Sequence, residues 1–280
     1  MLTTPALALL KRQRPDLRVA VVSEERFFPV FEGNSDVDRL LPPSISAVRN
    51  WRASLCLNLH GGTRSAWIAL LSGARFRAGF RHYRWPFLYD VPIPTAQEIL
   101  GVQRKVHTAE HLASAMFFLG VAREEIPRAR LTADLPVSSA PYAVIHPFAS
   151  APDKTWPAER FRETAQALAE RRGLEPVFLA GPGDDASPFG AWRIFQSLPL
   201  AKVKNVIAGA SLFLGNDSGP AHMAAAFGVP VVALFGSSDP VVWAPWKTES
   251  MTLTSAGGIQ GISTAQTLAA VETLSERVGA

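Results

Sequence analysis

The stretch GNDSGPAHMAAAFGVPVVALFG, from Gly215 to Gly236, indicates the fold of this chain. An apolar run over 210–214 enters a polar turn, a helical segment follows over 220–227, and a second apolar run ends at Gly236. A strand, a polar turn, a helix and a strand form half of a nucleotide-binding α/β unit. The turn places backbone N–H groups at a helix N-terminus, where Pro220 is tolerated in the first turn. The sequence therefore predicts an anion-binding turn.

The regions on either side extend this pattern. Beyond residue 141, apolar runs alternate with helical segments and a helix closes the chain, which predicts a parallel sheet. A stretch of low periodicity over 128–141 contains Pro136 and Pro141 and is typical of a linker. We therefore expect an α/β protein with two domains, 1–135 and 136–280. In the first domain, Thr4 is expected to cap a helix that has Pro5 at its first position.

Composition indicates a globular protein of a reducing compartment. The chain has 280 residues, of which 48% are hydrophobic and 19% charged. Its single cysteine, Cys56, excludes an internal disulfide framework. No apolar run approaches the roughly 20 residues of a membrane span, and the first residues lack a cleavage-type signal pattern. These features predict a cytoplasmic protein.

Positive charge is concentrated in the first half of the chain. Residues 1–135 hold 18 Lys/Arg against 12 Asp/Glu, a balance of +6, whereas residues 136–280 have a balance of −2. Residues 61–89 contain five arginines, seven aromatic residues and no acidic residue. Such a segment could dock on a membrane surface or a phosphorylated lipid, or stack on nucleic acid bases. The alternative is that most of the aromatics are core and the arginines are solvated.

Several polar side chains follow predicted strands of the second half. Because ligands bind at the carboxyl ends of parallel strands, these residues are candidates for a ligand site. Lys154 could pair with a phosphate or be solvated, and Asp185 could bind a ribose diol or decorate a loop. Asp217 could accept hydrogen bonds from sugar hydroxyls, cap the following helix, or do both. His222 could reach a ligand or pack beneath the turn.

Familiar cofactor motifs are missing from the sequence. It contains neither GxxxxGK[ST] nor a GxGxxG that follows a strand, which argues against a P-loop and against a dinucleotide dehydrogenase. His107 and His111 are four residues apart on one predicted helix, but no third metal ligand lies nearby in sequence. We therefore expect neither a cofactor nor a metal.

The segment GNDSGPAHMAAAFGVPVVALFGSSDP resembles the bacterial lipopolysaccharide heptosyltransferases of glycosyltransferase family nine. Further segments are similar in the same order, namely TTPALALL, LCLNLHGGTRSA before RAGF, HTAEHLASAMFFLG, HPFASAPDKTWP and GISTAQTLAAV. The resemblance implies a GT-B architecture, in which two Rossmann-like domains face a cleft. It also implies an inverting, metal-independent transfer of heptose from ADP-heptose to the inner core on lipid A.

The resemblance also implies roles for individual residues. Ser150 and Lys154 would face the donor diphosphate, and Asp185 would hold the nucleoside ribose. The phosphate turn would be formed by Ser218, Gly219 and Pro220, with Asp217 and His222 near the sugar and phosphates. The anionic, lipid A-linked acceptor would lie against the acceptor-side first domain, with Arg64, Arg81 and Arg84 as its binding residues. We expect peripheral contact with the cytoplasmic face of the inner membrane, and no nucleic acid partner.

One family feature has no counterpart in these residues. The family has a strand and a Gly-Asp turn ahead of the TTP helix, and that aspartate is its proposed general base, which takes the acceptor proton. We therefore expect the catalytic base upstream of Met1 and a first domain that is incomplete at its start. Three explanations of this difference from the family are open, namely a misassigned start codon, a trimmed chain, or impaired catalysis. A non-catalytic nucleotide-sugar-binding relative and a GT-B type sugar-nucleotide epimerase are the competing functions.

Overall fold

The computed structural model describes residues 1–134 and 140–279. The chain forms two compact units, Leu2–Pro127 and Arg128–Ala280, the second of which includes Met1. The domain boundary expected between residues 135 and 136 lies outside the described residues. No helix in the described part of the chain is both long and apolar enough to cross a bilayer.

The first unit contains two small parallel sheets and five helices. One sheet pairs β1 with β2, and the other has the order β3-β4-β5. The strands are β1 (Ala20–Val22), β2 (Arg39–Leu41), β3 (Leu55–Asn58), β4 (Phe76–Phe80) and β5 (Val91–Ile93). The helices are α1 (Thr4–Gln13), α2 (Ile45–Trp51), α3 (Thr63–Leu71), α4 (Ala96–Leu100) and α5 (Thr108–Phe118).

The start of α1 differs from the sequence expectation. Thr3, not Thr4, occupies the N-cap position, and its side chain makes no capping hydrogen bond. Thr4 is the first helical residue and is buried. A proline is accepted within the first helical turn because its missing N–H would have no partner there, so Pro5 does not fix the helix start to one residue.

The second unit is a doubly wound α/β domain. Its six parallel strands have the order β11-β10-β9-β6-β7-β8. They are β6 (Tyr142–His146), β7 (Glu175–Ala180), β8 (Arg193–Gln196), β9 (Leu212–Asn216), β10 (Val231–Leu234) and β11 (Ser250–Leu253). The helices are α6 (Ala158–Arg172), α7 (Leu200–Ala208), α8 (Gly219–Phe227), α9 (Pro240–Trp243) and α10 (Thr264–Gly279).

The strand order fixes where a ligand can bind in this unit. The chain builds outward from β6 to β8, returns, and builds from β9 to β11 on the other side. The strand order therefore reverses between the neighbours β6 and β9, in whose register His146 lies opposite Gly215. In open α/β sheets the crevice at this switch point, outside the carboxyl ends of the strands, is the usual ligand site.

Local sequence explains the central elements. Strands β9 and β10 are buried along their whole length, as their apolar runs predict. The alanine-rich helix α8 ends at Gly228, whose φ of 77° is in the left-handed region. Strand β8 is at the sheet edge and half-buried, and its RIFQ sequence lacks the continuous apolar run that signals a central strand.

The core of the second unit contains a buried tryptophan that joins distant segments. Trp156 is 1% exposed, and its ring packs edge-on against Phe161 at 4.9 Å between centroids. Its Nε1 donates a hydrogen bond of 2.8 Å to the carbonyl of Ile262. This side chain therefore fixes the loop after β6 to the segment that precedes α10.

We predict that Trp156→Ala lowers the free energy of unfolding of this unit by about 3–5 kcal/mol, because a large buried ring leaves a cavity. Urea denaturation of the full chain measures the change. Trp243→Ala removes an indole that is 40% exposed in the same unit, and it should cost less than about 1 kcal/mol. Equal losses in the two variants would contradict the assignment of Trp156 to the core.

Candidate functional site

Asn216 connects the two sides of the switch point. Its side chain is fully buried at the end of β9. Its Nδ2 donates to the carbonyl of Pro147 at 2.8 Å, and its Oδ1 accepts from the backbone N–H of Trp156 at 3.2 Å. Both ends of the loop after β6 are thus held by one amide, and the loop between them is fixed over the carboxyl edge of the sheet. Asn216 was not among the site residues predicted from the sequence, although it precedes Asp217 in the GND turn.

Lys154 is carried by this loop, in a short 3-10 turn over Pro152–Lys154. The loop passes so close to Gly236 that a Cβ at that position would overlap the carbonyl oxygen of Asp153. Lys154 is partly buried and forms no ion pair with any residue that the structure describes. Its charge is therefore available to an anionic ligand at the switch point.

Ser150 lies in the same loop but opens onto a separate hollow. It is exposed and lines an open cavity of about 490 Å³ together with Thr155, Trp156 and Gln260. Lys154 is not part of the lining of this cavity. The structure thus places Ser150 and Lys154 on one loop without showing that they face one point.

The residues predicted to form a phosphate turn lie at the start of α8. Ser218 is the N-cap residue in an extended conformation, and its side chain makes no capping hydrogen bond. Its Oγ instead lies 3.3 Å from Nδ1 of His146, at the end of β6. Pro220 lies in the first turn, so the backbone N–H groups of Gly219 and Ala221 are the donors directed out of the helix end. Such an end attracts anions.

Asp217 and His222 form a second pair beside this turn. Asp217 Oδ1 lies 4.0 Å from His222 Nε2, and both side chains are largely buried. The backbone N–H of Asp217 donates to the carbonyl of Leu234 at 3.0 Å, which fixes the turn to β10. The capping role considered for Asp217 is wrong, because Ser218 holds the N-cap position. Asp217 remains a candidate for contact with a sugar.

The two aspartates after β7 have different environments. Asp184 Oδ2 accepts from the backbone N–H of Gly181 at 2.6 Å, which closes the loop. Asp185 is exposed, and its Oδ1 accepts from the backbone N–H of Ser187 at 3.0 Å. Hydrogen bonds from Ser187 lower the pKa of the Asp185 carboxyl, so it is charged at neutral pH. An exposed carboxylate can accept hydrogen bonds from a diol.

His146 is neutral at physiological pH. Burial lowers its pKa from 6.5 to about 4, although the negative charge of Asp184 acts in the opposite direction. The ring that faces Ser218 therefore adds no positive charge to the switch point. The positive charge offered there to an anion comes from Lys154 and the N-terminus of α8.

The three arginines expected to bind an acceptor belong to the first unit. Arg64 lies 3.5 Å from Glu24, and Arg81 is paired with Glu98. Arg84 is exposed, with its guanidinium 5.3 Å from the centroid of the Trp85 ring. The structure therefore pairs two of these three arginines with carboxylates from outside the basic segment.

The candidate metal pair has other functions in the structure. His107 precedes α5, and its Nδ1 accepts from the backbone N–H of Ala109 at 3.1 Å. His111 stacks on Phe80 with 4.0 Å between ring centroids. Within residues 1–134 and 140–279, no group of three or more His, Cys, Asp or Glu side chains is arranged to hold a metal ion.

The fold of the chain defines a structural class, the GT-B type with Rossmann-like domains. The model of glycosyltransferase family 9 (heptosyltransferase) matches residues 45–262. The chain belongs to this family and is a glycosyltransferase.

Individual relatives agree with this assignment. Lipopolysaccharide heptosyltransferase 3 of Escherichia coli (strain K12) is 28% identical over 302 aligned positions, which cover 94% of this chain and 86% of the relative. The ADP-heptose lps heptosyltransferase II of E. coli has a similar fold, with a TM-score of 0.82, 20% identity and coverage of 100% and 96%. The E. coli heptosyltransferase WaaC with ADP gives a TM-score of 0.80 at 19% identity, with coverage of 98% and 95%.

We predict that Asn216→Ala destabilises the second unit by about 2–4 kcal/mol, because it leaves two buried backbone groups without a partner. Urea denaturation measures this change. Asn205→Ala is the matched control, since Asn205 also bonds backbone and side chain, but to Asp134, away from the strand ends. If protease cleavage of the 147–156 loop increased no more in Asn216→Ala than in the control, the assigned role of Asn216 would be wrong.

The lowered pKa of His146 predicts a loss of stability in acid. Above pH 6.5 this histidine is neutral in both the folded and unfolded chains. As the pH falls from 6.5 toward 4, only the unfolded chain gains the proton, so folding loses about 2 kcal/mol by pH 5. We expect His146→Gln to reduce this loss, as measured by urea denaturation at pH 7.5 and 5. His60→Gln, which removes an exposed histidine, should lose as much unfolding free energy between pH 7.5 and 5 as the parent. An equal reduction of this loss in both variants would contradict the prediction.

Proposed function

We propose that this chain transfers a heptose from an ADP-heptose-like donor to the inner core of lipopolysaccharide. Family membership supports a sugar transfer, and the relative with the stated 28% identity is named for this acceptor. The fold relatives are named for ADP-heptose and for a complex with ADP. Peripheral contact with the cytoplasmic face of the inner membrane, where a lipid A-linked acceptor would be met, is part of the proposal.

The observation that carries the proposal is the positive potential at the switch point. The N-terminus of α8 directs backbone N–H groups outward, and Lys154 has no ion pair among the described residues. In our proposal the donor diphosphate binds between them, at the turn of Ser218, Gly219 and Pro220. A point charge and a helix end together suit a diphosphate.

The remaining candidates bind the rest of the donor. Asp185, an exposed carboxylate, accepts hydrogen bonds from the ribose diol, and Ser150 contributes its hydroxyl beside the diphosphate. Asp217 and His222, 4.0 Å apart and largely buried, are placed toward the sugar. These assignments follow the family resemblance, and they divide the donor among loops that follow different strands.

The proposed chemistry is a direct displacement with inversion. The acceptor hydroxyl oxygen attacks the anomeric carbon as the bond from that carbon to the diphosphate oxygen breaks, and ADP leaves with the electron pair. Negative charge grows on ADP in the transition state, where Lys154 and the N–H groups of α8 stabilise it without a metal ion. The acceptor proton passes to a general base. The family resemblance places that base ahead of the Thr3–Pro5 segment, and we assign the role to no residue of this chain.

The acceptor is proposed to contact the first unit. Its anionic groups suit Arg84, which lacks an ion pair among the described residues. Arg64 and Arg81 are exposed and paired with Glu24 and Glu98. Exposed pairs contribute little to stability, so these arginines can exchange a carboxylate for an acceptor phosphate at small cost.

We predict that Lys154→Ala weakens ADP binding about 10- to 100-fold, because a charge-assisted hydrogen bond to phosphate contributes about 1.5–3 kcal/mol. Isothermal titration of the full chain with ADP and with UDP measures affinity and base preference. Arg172→Ala removes an exposed cation at the C-terminal end of α6, and this control should leave the affinity unchanged.

The outcomes separate the competing functions. Absence of binding to any ADP- or UDP-linked ligand would overturn the proposal. Donor binding without transfer to a lipid A-linked acceptor would indicate a binding relative. Conversion of the donor sugar in the absence of an acceptor would indicate an epimerase.

A further inference from the structure

The first unit carries a group of large apolar side chains, three of them exposed and one, Trp85, partly buried. Trp67 and Leu71 lie one turn apart on α3, and they are 50% and 39% exposed. Trp85, in the loop after β4, contacts Trp67 edge-on, with 6.1 Å between ring centroids. Phe87, two residues further on, is 80% exposed. We call Trp67, Leu71, Trp85 and Phe87 the aromatic patch.

The exposure of the aromatic patch contrasts with neighbouring aromatics of the same segment. Phe80 and Tyr89, which flank the loop, are buried, but the other five aromatics of residues 61–89 are exposed or partly buried, so the alternative that most of the seven are core is wrong. Phe87 lies in a short 3-10 turn over Pro86–Leu88, where most of its surface is exposed. Neighbouring exposed side chains of this size mark an interaction surface.

Positive charge borders the aromatic patch. Arg84 is exposed and has no ion pair among the described residues, and its guanidinium lies over the Trp85 ring. Arg64, one turn before Trp67 on α3, shares Glu24 with Arg26 at 3.5 and 2.8 Å, so this trio keeps a net charge of +1. Residues 61–89 contribute no carboxylate to this surface.

We propose that the aromatic patch docks on the surface of an anionic lipid bilayer. Trp67, Trp85 and Phe87 enter the headgroup region, where aromatic side chains are enriched in membrane proteins. Arg84 and Arg64, which the proposed function assigns to the lipid-linked acceptor, also contact phosphates of the bilayer that would carry this acceptor, and they gain from its negative surface potential. The combination of large apolar side chains with excess positive charge favours an anionic bilayer, which offers an apolar interior and negative headgroups over one surface. This docking surface rests on the peripheral membrane contact of the proposed function, but it does not rest on the donor site, because docking needs no nucleotide.

Vesicle sedimentation tests the proposal with the full chain and no nucleotide. We expect binding to vesicles of phosphatidylethanolamine and phosphatidylglycerol that is at least about tenfold tighter than to phosphatidylcholine vesicles, and that weakens with salt. Phe87→Ser should weaken binding to the anionic vesicles about tenfold. Arg84→Gln should weaken binding about fivefold for anionic vesicles alone.

A matched control exists at the beginning of β4. Phe76 is 45% exposed, with Arg75 lying 5.2 Å from its ring centroid, so the pair repeats the chemistry of Arg84 and Trp85 at the opposite end of the strand. Phe76→Ser should leave vesicle binding unchanged. Melting curves establish that each variant is folded. A variant with a lower melting temperature that binds vesicles like the parent would show that its residue stabilises the fold and does not dock on the bilayer.

Three results would overturn the proposal. The first is no binding of the parent chain to anionic vesicles. The second is binding that Phe87→Ser and Phe76→Ser weaken equally. The third is self-association in sedimentation equilibrium that Phe87→Ser abolishes, because the patch would then be covered by a second copy of the chain. Failure of ADP titration together with intact vesicle binding would reject the proposed donor site and leave the docking surface standing.

Discussion

The second unit depends on one buried amide at the point where its strand order reverses. In a doubly wound sheet, the loops that follow the two central strands run to opposite sides of the sheet. The polar backbone groups of these loops need hydrogen-bond partners. Asn216 meets this need by accepting from Trp156 and donating to Pro147. The loop that carries Lys154 thereby has a fixed course before any ligand arrives. A site organised in this way spends little of the ligand's binding free energy on ordering its own loops.

The features that the sequence predicted are local ones. The polar turn, the buried strands beside it and helix α8 follow from apolar runs, a first-turn Pro220 and a terminal Gly228 that lie within one short stretch. Such signals need only neighbouring residues. Edge strand β8 was not predicted, because its partly exposed residues do not form a continuous apolar run. The predicted helix start at Pro5 was one residue late, because a proline in the first turn allows more than one starting position.

The remaining features depend on residues far apart in sequence. Asn216 finds its partners 69 and 60 residues away, and Ser218 meets His146 across 72 residues. The basic segment shows the same limit. It looked strongly positive because residues 61–89 have no carboxylate, yet Glu24, Asp90 and Glu98 from outside it pair with three of its five arginines. Charge counted along a chain does not give charge presented at a surface.

The close passage of the Asp153 carbonyl over Gly236 constrains how the chain can vary. Any L-residue at position 236 would push aside the loop that carries Lys154, although Gly236 is not among the residues assigned to the donor. A mutational screen would therefore identify Gly236 as intolerant for a reason of backbone clearance and not of chemistry. The course of the loop after β6 therefore depends on a glycine two residues beyond β10, and a side chain at that position would require the loop to take another course.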